Sequence, residues 1–467
     1  MMPTKKIISS VKWTTLATAV KGITQLILIS ILSRILSPSD FGLMAIVNAI
    51  IAFTTIFSDL GIGSAIIHKQ DISQKQLSSL YWLNLFSSFV ITFAITISSN
   101  FVSNFYHEQR LVYLLPAASI IFLINASYQQ LRFRSEKELK FNQLALIEIT
   151  AALSGLVSAI SSAYLGAGAF SLIIGTLTTA FITAILAWIY LAAGWRPSFS
   201  LDLNEIRSFL SFSSYMIGNG IVSCTNQMAD IFIGGKLLST STLGIYSLPR
   251  NFSLQIALLI NPIVTRIAFP LMAKAQNDPA QLKYTYLKTM FITASLNFPI
   301  YIFIFTYSTQ VSHLIFGKQI IAIPETLRIL ALWGLVRSTG NPVGSLLLAI
   351  GKPNVQFYWN FSILTLIVLC VYFGSLHGSI GIAYSMLLCQ LVLFIPCWYF
   401  LIKNNCQMNL REYIKNLLHP LLSSVIAAAF SYMITMSMDN YMAKLIAAGL
   451  IMLAAYFTIN KPTKFLK

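Results

Sequence analysis

The chain has 467 residues, 56% of them hydrophobic and only 10% charged, against about 25% charged in soluble domains. That excludes a sizeable extramembrane enzyme domain and points to an all-α integral membrane protein, since each crossing takes about 20 apolar residues. The net charge of +17 gives no reason to expect nucleic acid, because lysine and arginine in a membrane protein first serve orientation and anionic lipid head groups.

In chain order, apolar runs and polar breaks place spans near 11–36, 42–67, 78–103, 110–131, 142–165, 168–193, 208–235, 243–272, 284–309, 321–350, 355–375, 379–402, 417–437 and 441–459, about 14 in all. Lys5, Lys6 and Lys12 precede the first run, and Lys21 and Gln25 interrupt it too early for a signal sequence, so it reads as an uncleaved span. With the N-terminus in the cytoplasm, the inside loops and tails hold roughly 21 positive charges and the outside loops about four. The inside set includes Lys75, Arg132, Arg134, Lys137, Lys140, Lys274 and Lys288. Both termini are therefore expected in the cytoplasm. The outside connections, such as 37–40 and 166–168, are too short to house an active site.

An internal repeat is legible. Ser33 to Met44 (SRILSPSDFGLM) and Gly235 to Tyr246 (GKLLSTSTLGIY) share Leu, Ser, Ser and Gly at an offset of 202 residues, with Arg34 falling on Lys236. Both join an odd-numbered span to the next, so spans 1–6 and 7–12 read as parallel repeats. The expected divisions are a six-helix lobe over 1–207, a second over 208–402, and two extra helices with a tail over 403–467. At the same offset Gln25 falls on Gln227, Asn48 on Arg250 and Asp59 on Asn261.

One-sided polar stripes mark helix faces turned away from lipid. Span 1 offers Thr14, Thr18, Lys21 and Gln25; span 2 offers Asn48, Thr55 and Asp59; span 7 offers Asn219, Ser223, Asn226 and Asp230; span 8 offers Ser247, Arg250, Asn261 and Thr265. Ionisable groups at membrane depth cost about 2.5 to 3.5 kcal/mol each and so have a partner or a task. Lys21, Arg34, Arg250, Arg266, Arg328 and Arg337 outnumber Asp59, Glu148 and Asp230, an excess that favours an anionic substrate. Arg34 and Arg266 stand near span ends and can snorkel, and Glu148 and Arg328 read as structural pairs. The expected substrate-binding residues are Lys21, Gln25, Asn48, Asp59, Asn226, Asp230, Arg250, Asn261, Arg337 and Asn341. Asp59 and Asp230 either neutralise Lys21 and Arg250 or carry a coupling proton. Pro249, Pro262, Pro299, Pro342 and Pro396 fall within spans and favour kinks.

No Gly-Lys pair is followed by Ser or Thr, so no phosphate-binding loop for ATP is present. His107-Glu108 lacks a second histidine, and the five cysteines have no metal-ligand spacing. Neither a cofactor nor a metal is expected, and the chain does not read as an enzyme.

Several stretches, LSPSDFG (Leu36 to Gly42), FSDLGIGSAIIHKQD (Phe57 to Asp71), QLSSLYWLN (Gln76 to Asn84), LRFRSEKELKF (Leu131 to Phe141), LGIYSLPRNFSLQ (Leu243 to Gln255) and RIAFPLMAKAQND (Arg266 to Asp278), resemble the polysaccharide transporter family of Wzx-type flippases, within the multidrug/oligosaccharidyl-lipid/polysaccharide exporter superfamily. The resemblance runs over most of the first twelve spans. It implies two six-helix lobes in a V, and movement of an undecaprenyl-pyrophosphate-linked oligosaccharide of O-antigen or exopolysaccharide type to the outer leaflet of a bacterial cytoplasmic membrane. It further implies cleft charges for the head group, at positions matching Lys21, Asp59 and Arg250. Membrane lipids, a polysaccharide polymerase and chain-length machinery are the other partners this implies. Pro249 departs from the family pattern, which more often has an ordinary helix former before the arginine. Two alternatives stay open: a drug or cation antiporter of the same superfamily, and a membrane partner of glycan assembly that does not transport.

Overall fold

The helix Gln74–Tyr106 wears its apolar side outward. Phe86, Phe89, Phe93, Ile97 and Phe101 are each more than half exposed, whereas Ser78, Asn84, Ser88, Ser99 and Ser103 are buried. A helix in water does the reverse. Hydrocarbon outside, with polar groups paired inside, accounts for this pattern, as in the bond between Ser58 and Ser88 hydroxyls at 3.3 Å.

The computed structural model describes residues 4–59, 73–192, 194–198, 203–317 and 322–460, with side chains from Lys12 onward and without those of Asp59 and 203–217. The described residues are helical and contain no strand. In chain order the helices are α1 (Thr4–Ile35), α2 (Pro38–Asp59), α3 (Gln74–Tyr106), α4 (Leu111–Lys137), α5 (Phe141–Tyr164), α6 (Phe170–Tyr190), α7 (Leu203–Leu237), α8 (Thr240–Lys274), α9 (Pro279–Thr306), the short α10 (Ser308–Phe316), α11 (Ile323–Ser338), α12 (Asn341–Ala349), α13 (Pro353–Ser375), α14 (Gly378–Cys397), α15 (Leu410–Thr435) and α16 (Tyr441–Ile459). Twelve helices among the described residues are long and apolar enough to cross a membrane.

Helix starts have identifiable causes. Ser73 and Gln76 form a reciprocal capping box ahead of α3, at 3.1 and 3.2 Å. Asp278 accepts from the amides of Ala280 and Gln281 at 3.0 and 3.1 Å, and Pro279 opens α9 where its missing N–H is harmless.

The structure corrects the expected spans at two places. The single span expected over 321–350 is two helices, α11 and α12, separated at Thr339 and Gly340. Pro342 can neither donate to the carbonyl one turn back nor avoid it sterically, and the amides of Thr339 and Gly340 turn instead onto Val336 and Arg337. Arg132, Arg134 and Lys137, expected in a loop, lie on the last turns of α4. The other prolines are accommodated differently. α8 runs through Pro249 and Pro262 and α9 through Pro299, while Pro396 is followed by a π-helical turn, Trp398–Lys403. The expected end of the second span, 60–67, lies outside the described residues.

The chain forms two compact units, Met1–Gly244 and Ile245–Lys467. In the first, α1 lies along α5, α3 along α4, and α7 along α2 and α3. α5 meets α6 through Gly155 and Gly175, where any Cβ would strike the facing helix. In the second, α9 packs on α11 and α15, α13 on α14, and α15 on α16. The lobe divisions at 207 and 402 concern repeat topology, which compactness does not decide.

Within the first unit the two matched twelve-residue segments touch each other. A Cβ on Gly42 would strike the carbonyl of Thr240, and a Cβ on Gly244 that of Pro38. Residues 38 and 240, like 42 and 244, are equivalent at the 202-residue offset. Equivalent caps flank the contact: Ser37 Oγ donates to Asp40 at 2.7 Å, and the Ser239 and Thr242 hydroxyls pair at 2.8 Å.

Candidate functional site

In the first unit the packing of α1 on α5 brings Lys21 beside Glu148, with Nζ 3.2 Å from Oε2. The other carboxylate oxygen, Oε1, lies 3.3 Å from Arg132 Nη2 on α4. Arg132 Nε also donates to Glu136 Oε1, one turn on, at 2.9 Å. One carboxylate is thus shared by cations from two other helices. Glu148 stands seven residues into α5, about 10 Å along the axis from its start. The cluster borders a cavity of about 150 Å³ that Tyr128, Thr179 and Thr183 also line.

The cations remain accessible, Lys21 being 48% and Arg132 44% exposed, against 23% for Glu148. An ammonium carries three donors and a guanidinium five, so both keep capacity beyond the bonds they make here. An anion with several oxygens, such as a phosphate or diphosphate, can compete with Glu148 for this pair. Nearer the helix ends, Lys140 Nζ and Arg134 Nε hold Glu138 at 2.6 and 2.9 Å. The bond from Lys140, then that from Arg134, keeps the Glu138 carboxyl below its ordinary range.

The remaining expected residues fall as follows. Gln25 is exposed one turn from Lys21, and Asn48 is exposed on α2. The side chain of Asp59 lies outside the described residues. Asn226 and Asp230 stand one turn apart on α7; Asp230 is fully buried and its Oδ1 accepts from the Ile231 amide at 3.0 Å. In the second unit Arg250 is buried, with Nη1 3.4 Å from Asn251 Oδ1. The Arg337 guanidinium sits over the Trp333 ring at 5.1 Å, and Asn341 is exposed where α12 begins. Asn261 is buried and accepts from Asn297 Nδ2 at 3.0 Å.

Asn297 heads a buried ladder on α9. Its amide also donates to the Thr293 carbonyl at 2.9 Å, and Thr293, Thr289 and Thr285 each donate to the carbonyl four residues back. Sequence reading missed Asn297, and it missed Arg132 as a site residue. The signal available was an Arg and a Glu four apart at the end of an apolar run, followed by a Glu inside the next.

The family model of polysaccharide biosynthesis proteins matches residues 31–323. The chain belongs to the polysaccharide transporter family of Wzx-type flippases. Among its relatives is the lipopolysaccharide biosynthesis protein WzxC of Escherichia coli (strain K12), 30% identical over 92% of this chain and 87% of the relative. The teichuronic acid biosynthesis protein TuaB of Bacillus subtilis (strain 168) is 29% identical over 94% of this chain and 91% of its own. The fold is that of the lipid II flippase MurJ in an inward closed conformation, with a TM-score of 0.78 at 14% identity over 97% of this chain and 99% of that one. Membership in this family makes the chain a membrane transporter of polysaccharide biosynthesis rather than an enzyme.

Proposed function

We propose that the chain is a flippase that moves an undecaprenyl-pyrophosphate-linked oligosaccharide, of O-antigen or exopolysaccharide type, from the cytoplasmic to the outer leaflet of a bacterial cytoplasmic membrane by alternating access. Both termini face the cytoplasm, as the bias of positive charge requires. The observation that carries the reading is the pair of accessible cations, Lys21 and Arg132, sharing Glu148 beside a cavity at membrane depth. While the site is empty, Glu148 offsets the two cations and lowers the cost of keeping them out of water. A pyrophosphate arriving from the cytoplasmic leaflet displaces the carboxylate and takes up both cations, exchanging one charge-assisted set of bonds for another that offers more oxygens and more negative charge. Gln25, one turn along α1, and Asn48 and Asn226, also in the first unit, supply amides for sugar hydroxyls.

A membrane potential negative inside favours outward movement of an anion by about 2.3 kcal/mol per charge per 100 mV, which supplies drive without ATP. A polysaccharide polymerase and its chain-length machinery act on the product. A cation antiporter would need surplus acid where this cluster has its acids matched by cations.

The test is leaflet transfer of an undecaprenyl-pyrophosphate oligosaccharide in proteoliposomes, with the labelled sugar probed from outside. Lys21→Ala and Arg132→Ala should each lose transfer. Full transfer by both variants removes the cluster from the site, and no transfer by the folded wild-type protein under any imposed gradient or potential overturns the flippase.

A further inference from the structure

A second cavity lies wholly within the second unit, in the groove between α8 and α9. It measures about 580 Å³. Its walls are Ile263, Ile267 and Leu271 from α8 and Ile292 and Leu296 from α9, spaced one turn apart on each helix. Thr285 and Thr289 also border it, but their hydroxyls are bound to backbone carbonyls at 2.8 and 2.7 Å, so they ask nothing of an occupant. Ile267 is 66% exposed.

Lys274 and Lys288 border the same groove, toward the connection between α8 and α9. No described carboxylate stands within ion-pair distance of either, whereas Lys283, on the same helix as Lys288, is held by Glu412 at 2.6 Å. The groove therefore has an apolar body and a cationic head. From Lys274 to Ile263 is about 16 Å along α8, and from Lys288 to Leu296 about 12 Å along α9. Half of a hydrocarbon core about 30 Å thick spans the same depth.

We propose that this groove is a binding site for an anionic glycerophospholipid of the cytoplasmic leaflet, its phosphate between Lys274 and Lys288 and one acyl chain against Ile263, Ile267 and Leu296. The length decides between lipids. A groove one leaflet deep matches an acyl chain, whereas a polyprenyl chain is several times longer and would leave most of itself outside. Lysines act as point charges and suit a single phosphate diester without the geometric demand of a guanidinium fork. The bound lipid would seal α8 against α9 at the membrane surface and serve as a structural cofactor of the second unit.

The experiment uses the full chain in nanodiscs of mixed phosphatidylglycerol and phosphatidylcholine, with lipid retained after detergent extraction counted by native mass spectrometry. Wild type should retain phosphatidylglycerol in preference to phosphatidylcholine. The double variant Lys274→Gln/Lys288→Gln should lose that preference by about thirtyfold, as expected for two lysines at a membrane surface. Leu271→Trp should lose the lipid by filling the groove with its charge intact, and Lys415→Gln, which removes a cation elsewhere, should keep it. Equal melting temperatures of wild type and variants after the lipid has been stripped establish that lipid rather than folding is read, and with phosphatidylglycerol restored the wild type should melt higher than the double variant. Equal retention by wild type and the double variant overturns the proposal. So does displacement of phosphatidylglycerol from the groove by undecaprenyl pyrophosphate, which would assign it to the transported lipid. Neither result bears on leaflet transfer through Lys21 and Arg132.

Discussion

The two compact units bury polarity in different forms. The first places opposite charges side by side within its helices: Lys21, Arg132, Glu136 and Glu148 form one chain of ion pairs. The second keeps its carboxylates, Asp278, Glu325, Glu412 and Asp439, at helix starts or between helices, where the helix dipole favours them. Apart from the buried Arg250, its interior is bonded through neutral groups: Asn297 to Asn261, Tyr301 to the Ser253 carbonyl, and Tyr307 to Ser431 and Thr435. A neutral bond holds two helices at one spacing. An ion pair whose cations remain accessible can open for a competing anion, so the contrast separates a part that exchanges partners from a part that keeps them.

The sharpest way to break that contrast is in the first unit. Arg132→Ala should lower transfer roughly ten- to hundredfold, the equivalent of one charged hydrogen bond, while Arg132→Lys, which keeps charge but not the fork, should recover only part of it. Unchanged transfer would reduce the cluster to scaffolding. Gly42→Ala should act on stability, lowering the melting temperature of the purified protein by the equivalent of about 1–3 kcal/mol for overpacking. Asn297→Leu should cost about 1 kcal/mol by the same measurement, because an interhelical amide bond is lost and Asn261 is left without its donor. Transfer by Asn297→Leu should persist wherever the protein is folded; its loss would mean that the neutral ladder also handles substrate.

The smallest effect is at Glu138. Because its carboxyl titrates below the ordinary range when folded, its pairing stabilises the protein fully above the unfolded value and is lost as the pH falls through the depressed one. The stability difference between wild type and Glu138→Gln should be present at neutral pH and vanish in acid, and should stay below about 1 kcal/mol because the pair faces solvent. A difference that grows in acid would reverse the assignment.

Most of the helical architecture was legible because hydrocarbon as a solvent demands long apolar runs, and such runs survive in the linear order of residues. α16 begins and ends where its run does, at Tyr441 and Ile459. The break at Thr339 and Gly340 lies in the polar run Arg337–Pro342, which is short enough for one span over 321–350 to bridge it, and a proline does not announce whether a helix carries it, as α9 carries Pro299, or starts anew at it, as α12 does. The site was legible only in part. Lys21 stands out as a lysine amid apolar residues, but its partner is 127 positions away and depends on how α1 lies along α5. Arg132 was assigned to a loop because its apolar run stops at Leu131 while the helix continues to Lys137. Asn297 is one amide in an apolar run; only packing of α8 against α9 supplies Asn261 to meet it.

At the meeting of Gly42 and Gly244, a side chain on either would run into the backbone that opens the other helix, at Thr240 or Pro38. Both positions already carry the smallest residue there is. A bulkier residue at either one therefore has no suppressor at the other, since nothing remains there to trim. Any second-site rescue of Gly42→Ala must arise by shifting a whole helix, and selecting such revertants would map which helices are free to slide.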